Sequence, residues 1–138
     1  MIYGVTPEKE EEFYRRATTS IKDIVFAIET LEGKTIGNVG LHAINREWSN
    51  AEFRIVIGEK SCWGKGYCLE ATRLMVKFAF DDMNLHRVYL KVNENNIYGI
   101  KCFEKVGFKK EGILREHRYY GGKYSNDLIM GIIRGELT

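Results

Sequence analysis

Between residues 51 and 83 a strand pattern passes through a glycine-rich loop directly into a helical one. Residues 51–57 alternate and end in the β-branched run Ile55-Val56-Ile57, which reads as a strand. The loop Gly58-Glu59-Lys60-Ser61-Cys62-Trp63-Gly64-Lys65-Gly66-Tyr67-Cys68 follows. Over 66–83 the polar positions Glu70, Arg73, Lys77 and Asp81 recur every three or four residues. Leu69, Met75, Val76, Ala79, Phe80 and Met83 lie largely on the other faces. That period predicts a long amphipathic helix, which must bury its apolar side against a sheet.

The rest of the chain repeats the two patterns without strict alternation. Thr6 is placed to cap a helix over 7–17, with Pro7 at its first position and Glu8 and Glu10 in its first turn. Residues 24–30 are β-branched and aromatic, hence a strand. Glu32-Gly33-Lys34 makes a turn, residues 35–42 a second strand, and residues 45–50 a polar loop. Residues 87–92 form a short strand. Residues 96–106 form a second clear helix, with Asn96 at its start, Ile97, Ile100 and Phe103 facing the core, and Gly107 just past its end. Residues 108–120, Gly121-Gly122 and residues 123–133 read as a long hairpin. The order of helix, three strands, helix, strand, helix and hairpin predicts an α/β or mixed α+β sheet with packed helices.

Length and composition bound the rest. The chain has 138 residues, one proline (Pro7) and no Gly/Ser linker, so residues 1–138 are expected to form a single domain. At 44% hydrophobic and 29% charged it is neither a disordered tail nor collagen-like. It contains no run of 18 apolar residues, so no membrane partner is expected. Its N-terminus lacks an apolar signal core, which predicts a cytoplasmic location. The net charge of +2 is spread over interspersed signs, which gives no reason to expect nucleic-acid binding. Cys62, Cys68 and Cys102 are odd in number and match no zinc spacing, so reduced thiols and no metal are expected.

Two segments carry chemistry. In the first, glycines allow close backbone approach to an anion, and the free N–H groups at the helix start favour a phosphate. Lys60 and Lys65 add positive charge. The loop is neither a phosphate-binding loop ending in Gly-Lys-Ser/Thr nor a dinucleotide-binding Gly-x-Gly-x-x-Gly. Taken alone, a plain strand-to-helix turn explains it. The second segment, Asn96-Ile97-Tyr98-Gly99-Ile100-Lys101-Cys102-Phe103-Glu104-Lys105-Val106-Gly107-Phe108, is by itself an ordinary capped helix.

Taken together, the two segments resemble the GNAT acyl-CoA N-acetyltransferase superfamily. Residues 63–68 look like its Q/R-x-x-G-x-G/A pyrophosphate loop, with Trp63 at the Q/R position and Cys68 at the final Gly/Ala. The second segment resembles the family's downstream Asn-led helix ending in Glu-Lys-x-Gly-Phe. Ala51-Glu52-Phe53-Arg54-Ile55, Asn84-Leu85-His86-Arg87-Val88-Tyr89 and Gly122-Lys123-Tyr124 look like the RimJ/RimL branch, which contains ribosomal-protein and spermidine N-acetyltransferases. The resemblance covers about residues 13–134. It implies a central, mostly antiparallel twisted sheet with flanking helices. It also implies that the strand and helix with which the family usually begins are missing here, leaving an N-terminally shortened domain.

The resemblance implies acetyl transfer from acetyl-CoA, the expected co-substrate, to a small-molecule or peptide primary amine by direct attack. The acceptor is left open among a polyamine, a protein N-terminus and other small amines. Glu52 is the candidate base, beside the alternative of a solvated strand-face charge. The amides of Ile55, Val56 and Ile57 would bind the thioester and pantetheine arm. Those of Trp63, Gly64, Lys65, Gly66, Tyr67 and Cys68 would hold the pyrophosphate, and Asn96 would contact pantetheine. Phe103 stands where the family often has the Tyr that protonates the leaving thiolate, which keeps a second reading alive: an acetyl-CoA-binding module with little turnover. Lys101 and Lys105 fit a nucleotide contact or a solvated face. His86 reads as a corner residue satisfying backbone groups. Trp48 and Trp63 are left between core and pocket lining. Tyr119, Tyr120 and Tyr124 are left between an acceptor wall, a homodimer interface and plain surface.

Overall fold

The computed structural model describes residues 22–58 and 64–138. Six strands and two helices follow in the order β1 (Ile24–Glu29), β2 (Thr35–Asn45), β3 (Asn50–Ile57), α1 (Tyr67–Asp81), β4 (Arg87–Asn93), α2 (Ile97–Val106), β5 (Lys109–Tyr120) and β6 (Lys123–Ile133). The predicted helix over 7–17, Lys60, Cys62 and Trp63 lie outside the described residues.

The six strands form one sheet in the order β1-β2-β3-β4-β6-β5. Only the β3–β4 pair is parallel. A parallel pair needs a crossover, and α1 supplies it. The hairpin strand β6 enters between β4 and β5, which leaves β5 at an edge.

One face of the sheet carries the core. Phe26 opposes Val39, Val39 opposes Ile55, and Leu41 opposes Phe53. On the other half Val88 opposes Ile132 and Leu90 opposes Met130. All of these are buried except Phe26 and Ile55, which pack against the cluster. Helix α1, which ends at Asp81 rather than 83, lays Ala71, Met75, Val76, Ala79 and Phe80 on this face, and all but Ala71 belong to the stripe predicted from its period. Helix α2 adds Ile100, Phe103 and Val106. Each fully buried aliphatic or aromatic side chain contributes about 1.5–3 kcal/mol. Ile97, expected in the core, is instead 56% exposed. It opens α2, and a helical side chain leans toward the N-terminus, which carries this one off the sheet.

Three other expectations are corrected. Strand β2 runs to Asn45 rather than ending at 42, because a bulge after His42 continues the strand. Ala43 takes a φ of 49° there, and its N–H donates to Asp23 Oδ1 at 3.0 Å. The polar loop shrinks accordingly to the turn before Asn50. Trp48 belongs neither to the core nor to a pocket lining, for it is 74% exposed in that turn.

Candidate active site

Strands β3 and β4 pair over only three residues, Asn50 with Arg87, Ala51 with Val88 and Glu52 with Tyr89. Beyond Glu52 they diverge, although β3 remains paired to β2 as far as Ile57 and β4 to β6 as far as Asn93. The sheet is thus split from one end. The split opens a cleft of about 800 Å³ lined by Phe53, Ile55, Val56 and Ile57 on one wall and by Leu90, Lys91, Val92 and Asn93 on the other. Backbone groups along the β3 wall face a gap instead of a ladder, ready to pair with an extended polar ligand.

The glycine loop meets the cleft at the start of α1. Gly64 and Gly66 take φ of 80° and 84°, the left-handed region that glycine enters without penalty. Among the described residues a Cβ on either would meet nothing within 4 Å, so the backbone here bounds open space. Gly66 is the N-cap of α1, and no side chain among the described residues caps that helix. Its first-turn N–H groups therefore have no partner within the helix. This chain does cap α2: Asn96 Oδ1 accepts from Gly99 N–H at 3.0 Å. An open left-handed glycine turn before an uncapped helix suits a pyrophosphate. The Gly64 N–H donates to Tyr98 Oη at 3.1 Å, which ties the loop to the first turn of α2.

Of the residues named from sequence, Glu52, Ile55, Val56, Ile57, Cys68, Asn96 and Phe103 line this one cleft. Gly64, Lys65, Gly66 and Tyr67 sit at the adjoining turn and not in its lining. Lys101 and Lys105 are exposed. His86 is held through its backbone, with its N–H donating to the Ser49 carbonyl at 2.8 Å and its carbonyl accepting from Arg134 N–H at 2.8 Å. Phe103 is 5% exposed, with its ring against Phe53 and Phe108 at 6.0 Å each. Tyr98 also lines the cleft, with its hydroxyl engaged by Gly64.

Glu52 lies on the face of the sheet opposite the two helices, since its neighbours Ala51 and Phe53 point into the core. It is 7% exposed. Arg54 Nη2 reaches its Oε1 at 2.8 Å, and Lys91 Nζ approaches Oε2 at 3.9 Å. One carboxylate oxygen is thus fully engaged by a guanidinium and the other only loosely by an ammonium.

Sequence reasoning missed a second polar cluster in the cleft, formed by Asp127, Arg118, Asn93 and His117. The β5–β6 register slips between Leu114 and Arg118, and Glu116, with φ 51°, donates its N–H to Asn126 Oδ1 at 2.8 Å. Such a bulge re-aims the side chains beside it, and His117 and Arg118 reach the cleft. Arg118 Nε and Nη2 bind the two oxygens of Asp127 at 3.1 Å each, and Asn93 Nδ2 adds a bond at 3.2 Å. Burial pushes the Asp127 carboxyl up. The hydrogen bonds from Arg118 and Asn93, with the charges of Arg118 and His117, outweigh burial and hold it below the usual carboxylate range. Alternation alone gave no sign of the bulge.

Residues 3–109 match the family described as acetyltransferase (GNAT) domain. The chain belongs to the GNAT acetyltransferase family. Among its GNAT relatives is the spermidine N(1)-acetyltransferase of Escherichia coli K12, 34% identical over 109 residues, 79% of this chain and 58% of the relative. Another is the probable N-acetyltransferase YjcK of Bacillus subtilis, 32% identical over 126 residues, 91% of this chain and 64% of the relative. The chain thus spans less than two thirds of either relative's length. The crystal structure of spermidine N-acetyltransferase from Vibrio cholerae in complex with CoA and spermine superposes with a TM-score of 0.79 at 29% identity. That match covers 96% of this chain and 78% of that one. The GNAT assignment accounts for the mixed six-stranded sheet. Among the described residues, no three His, Cys, Asp or Glu side chains are grouped to hold a metal ion, and no helix is long and apolar enough to cross a membrane.

Proposed function

We propose that this chain transfers the acetyl group of acetyl-CoA to a primary amine, with a polyamine as the favoured acceptor class. The observation that carries the reading is the divergence of β3 from β4 after Glu52, in a GNAT chain whose cleft adjoins an uncapped helix start behind two left-handed glycines. Acetyl-CoA would supply an acetyl thioester open to attack by an amine. The amides of Ile55, Val56 and Ile57 orient the thioester arm along the β3 wall. The backbone N–H groups from Gly64 to Cys68 and the start of α1 bind the pyrophosphate, and Asn96, which lines the cleft, contacts pantetheine. Glu52 removes the proton that an ammonium must lose before it attacks, directly or through one water. Spermidine acetyltransferases stand among the relatives, which supports a polyamine acceptor.

The test is acetyl-CoA-dependent release of thiol with a panel holding spermidine, spermine, a peptide N-terminus and simple alkylamines, with the product identified by mass. Saturable turnover with at least one amine is expected. Tight acetyl-CoA binding with no turnover on any amine would overturn the enzymatic reading. It would favour the acetyl-CoA-binding module, for which Phe103, a side chain without a proton to give, is the supporting feature.

A further inference from the structure

Cys68 lies in the first turn of α1 and Cys102 in the middle of α2, 34 residues later, yet their sulfurs are 2.9 Å apart. Both side chains are buried, at 7% and 6% exposure, and both are free thiols. They are not equivalent. Cys68 lines the cleft, whereas Cys102 is packed behind it and does not. The Cys102 thiol donates to the Cys68 sulfur, and Thr72 Oγ1 stands 4.0 Å from the latter. The donated bond from Cys102 holds the Cys68 thiol below its usual value against the effect of burial, and the same bond with burial pushes Cys102 up. The reachable sulfur is therefore the better nucleophile, and the sequestered one keeps its proton.

We propose that Cys68 and Cys102 form a reversible dithiol–disulfide pair in the wall of the cleft, oxidised by hydroperoxides. A disulfide needs an S–S distance of about 2.05 Å, so closure from 2.9 Å takes a sulfur shift of about 0.9 Å, within reach of side-chain adjustment. The Cys68 thiolate attacks one peroxide oxygen. The O–O bond breaks, Cys68 becomes a sulfenic acid, and the departing hydroxide takes up a proton to leave as water. The Cys102 sulfur then attacks the sulfenic sulfur. The S–O bond breaks, the S–S bond forms, and the hydroxyl leaves with the Cys102 proton as a second water. Two thiols have supplied two electrons and one hydrogen peroxide has become two waters. A dithiol reductant reverses the bond by exchange. The bridge would join the first turn of α1 to α2, next to the Gly64 N–H bond to Tyr98 Oη that already ties the preceding turn to α2, and so fix both sides of the glycine turn.

The test treats the full chain, and its Cys62→Ser variant, with hydrogen peroxide, followed by thiol counting and peptide mass mapping. In the Cys62→Ser protein both remaining thiols should disappear together, a 68–102 cross-linked peptide should appear, and dithiothreitol should restore both. The oxidised protein should melt higher by roughly 5 °C or more, as a bridge closing a long loop does. In Cys102→Ser the reaction should stop at a sulfenic acid on Cys68 that dimedone traps. Bridges between chains, a pairing of Cys62, or loss of one thiol only would overturn the proposal. A further arm rests on the proposed function: acetyl-CoA in the cleft covers Cys68 and should slow thiol loss at least threefold. If the 68–102 bridge forms and acetyl-CoA does not slow it, the pair stands and the cofactor reading of the cleft falls.

Discussion

Glu52 shows how much of a residue's role is set by its immediate partners. Its Oε1 is taken by Arg54 at 2.8 Å, while Lys91 stays 3.9 Å from Oε2, so Oε2 is the oxygen with capacity to accept a substrate proton. Glu52→Gln keeps the shape and removes the basicity. It is expected to lower turnover by about 10²-fold or more with acetyl-CoA affinity little changed. A rate at pH 7 within about threefold of the parent would reduce Glu52 to a structural ion-pair residue. Phe103 is the complementary case. Its ring fills a cluster with Phe53 and Phe108 and also lines the cleft, while Tyr98, the nearby phenol on α2, accepts from Gly64 N–H and keeps its own proton. Phe103→Tyr is expected to raise turnover, by less than the 10²-fold of a matched acid. It should cost about 1–3 kcal/mol of stability if the new hydroxyl is buried without a partner. Steady-state rates and a melting curve on one preparation decide it, and a stable variant that is no faster would show that thiolate protonation does not limit the rate.

At the scale of elements, the two helices are started and stopped by different devices, and each device makes a prediction. Helix α1 begins at a left-handed glycine over open space. Gly66→Val forces a branched side chain into a φ of 84° and fills the space where the pyrophosphate would lie. It should largely abolish acetyl-CoA binding while the domain stays folded, and calorimetric titration with unchanged affinity would refute the loop's role. Helix α2 stops at Gly107, whose φ is 122° and whose absent side chain makes room for the Glu136 carbonyl oxygen. The C-terminal residues fold back there, with Thr138 N–H donating to the Val106 carbonyl at 3.0 Å and Arg73 Nε to the Thr138 carbonyl at 2.9 Å. Gly107→Ala adds strained backbone to a backbone contact. It is expected to destabilise by about 2 kcal/mol or more, read as a lowered denaturant midpoint, without changing which amine is acetylated.

For the whole molecule, the described strands share one sheet and one continuous apolar face. The chain is therefore expected to unfold in one cooperative transition, and two resolved calorimetric peaks would divide it into separate domains. Acid should weaken it through the hairpin half. Glu111 is held below its usual range by Arg87, Glu136 by Lys109, and Asp127 by Arg118 and Asn93 against its burial. Groups with depressed folded values stabilise the fold at pH above their unfolded values, about 4, and lose that contribution as pH falls through the folded ones. The melting temperature should thus hold near neutrality and fall progressively below about pH 5. Asp127→Asn should give a shallower acid limb. An equally steep limb in that variant would remove Asp127 from the account.

The sequence by itself determined most of the described elements, apart from the end of β2, and the family. The 3.6-residue period of α1, the Asn96 cap, Gly107 and the Gly121-Gly122 turn are local signals acting within a few residues, and their order with the Gly64-x-Gly66 loop points to a GNAT fold. It also singled out Glu52, Phe103 and the loop glycines as candidates. Tertiary structure alone decided where β6 inserts, how far β3 follows β4, and that the bulge at Glu116 brings His117 and Arg118 to the cleft. It alone set Cys68 against Cys102 and Lys91 near Glu52. These depend on pairings between residues far apart in the chain, whose register is set by the packing of the whole sheet, and local periodicity carries no record of that packing.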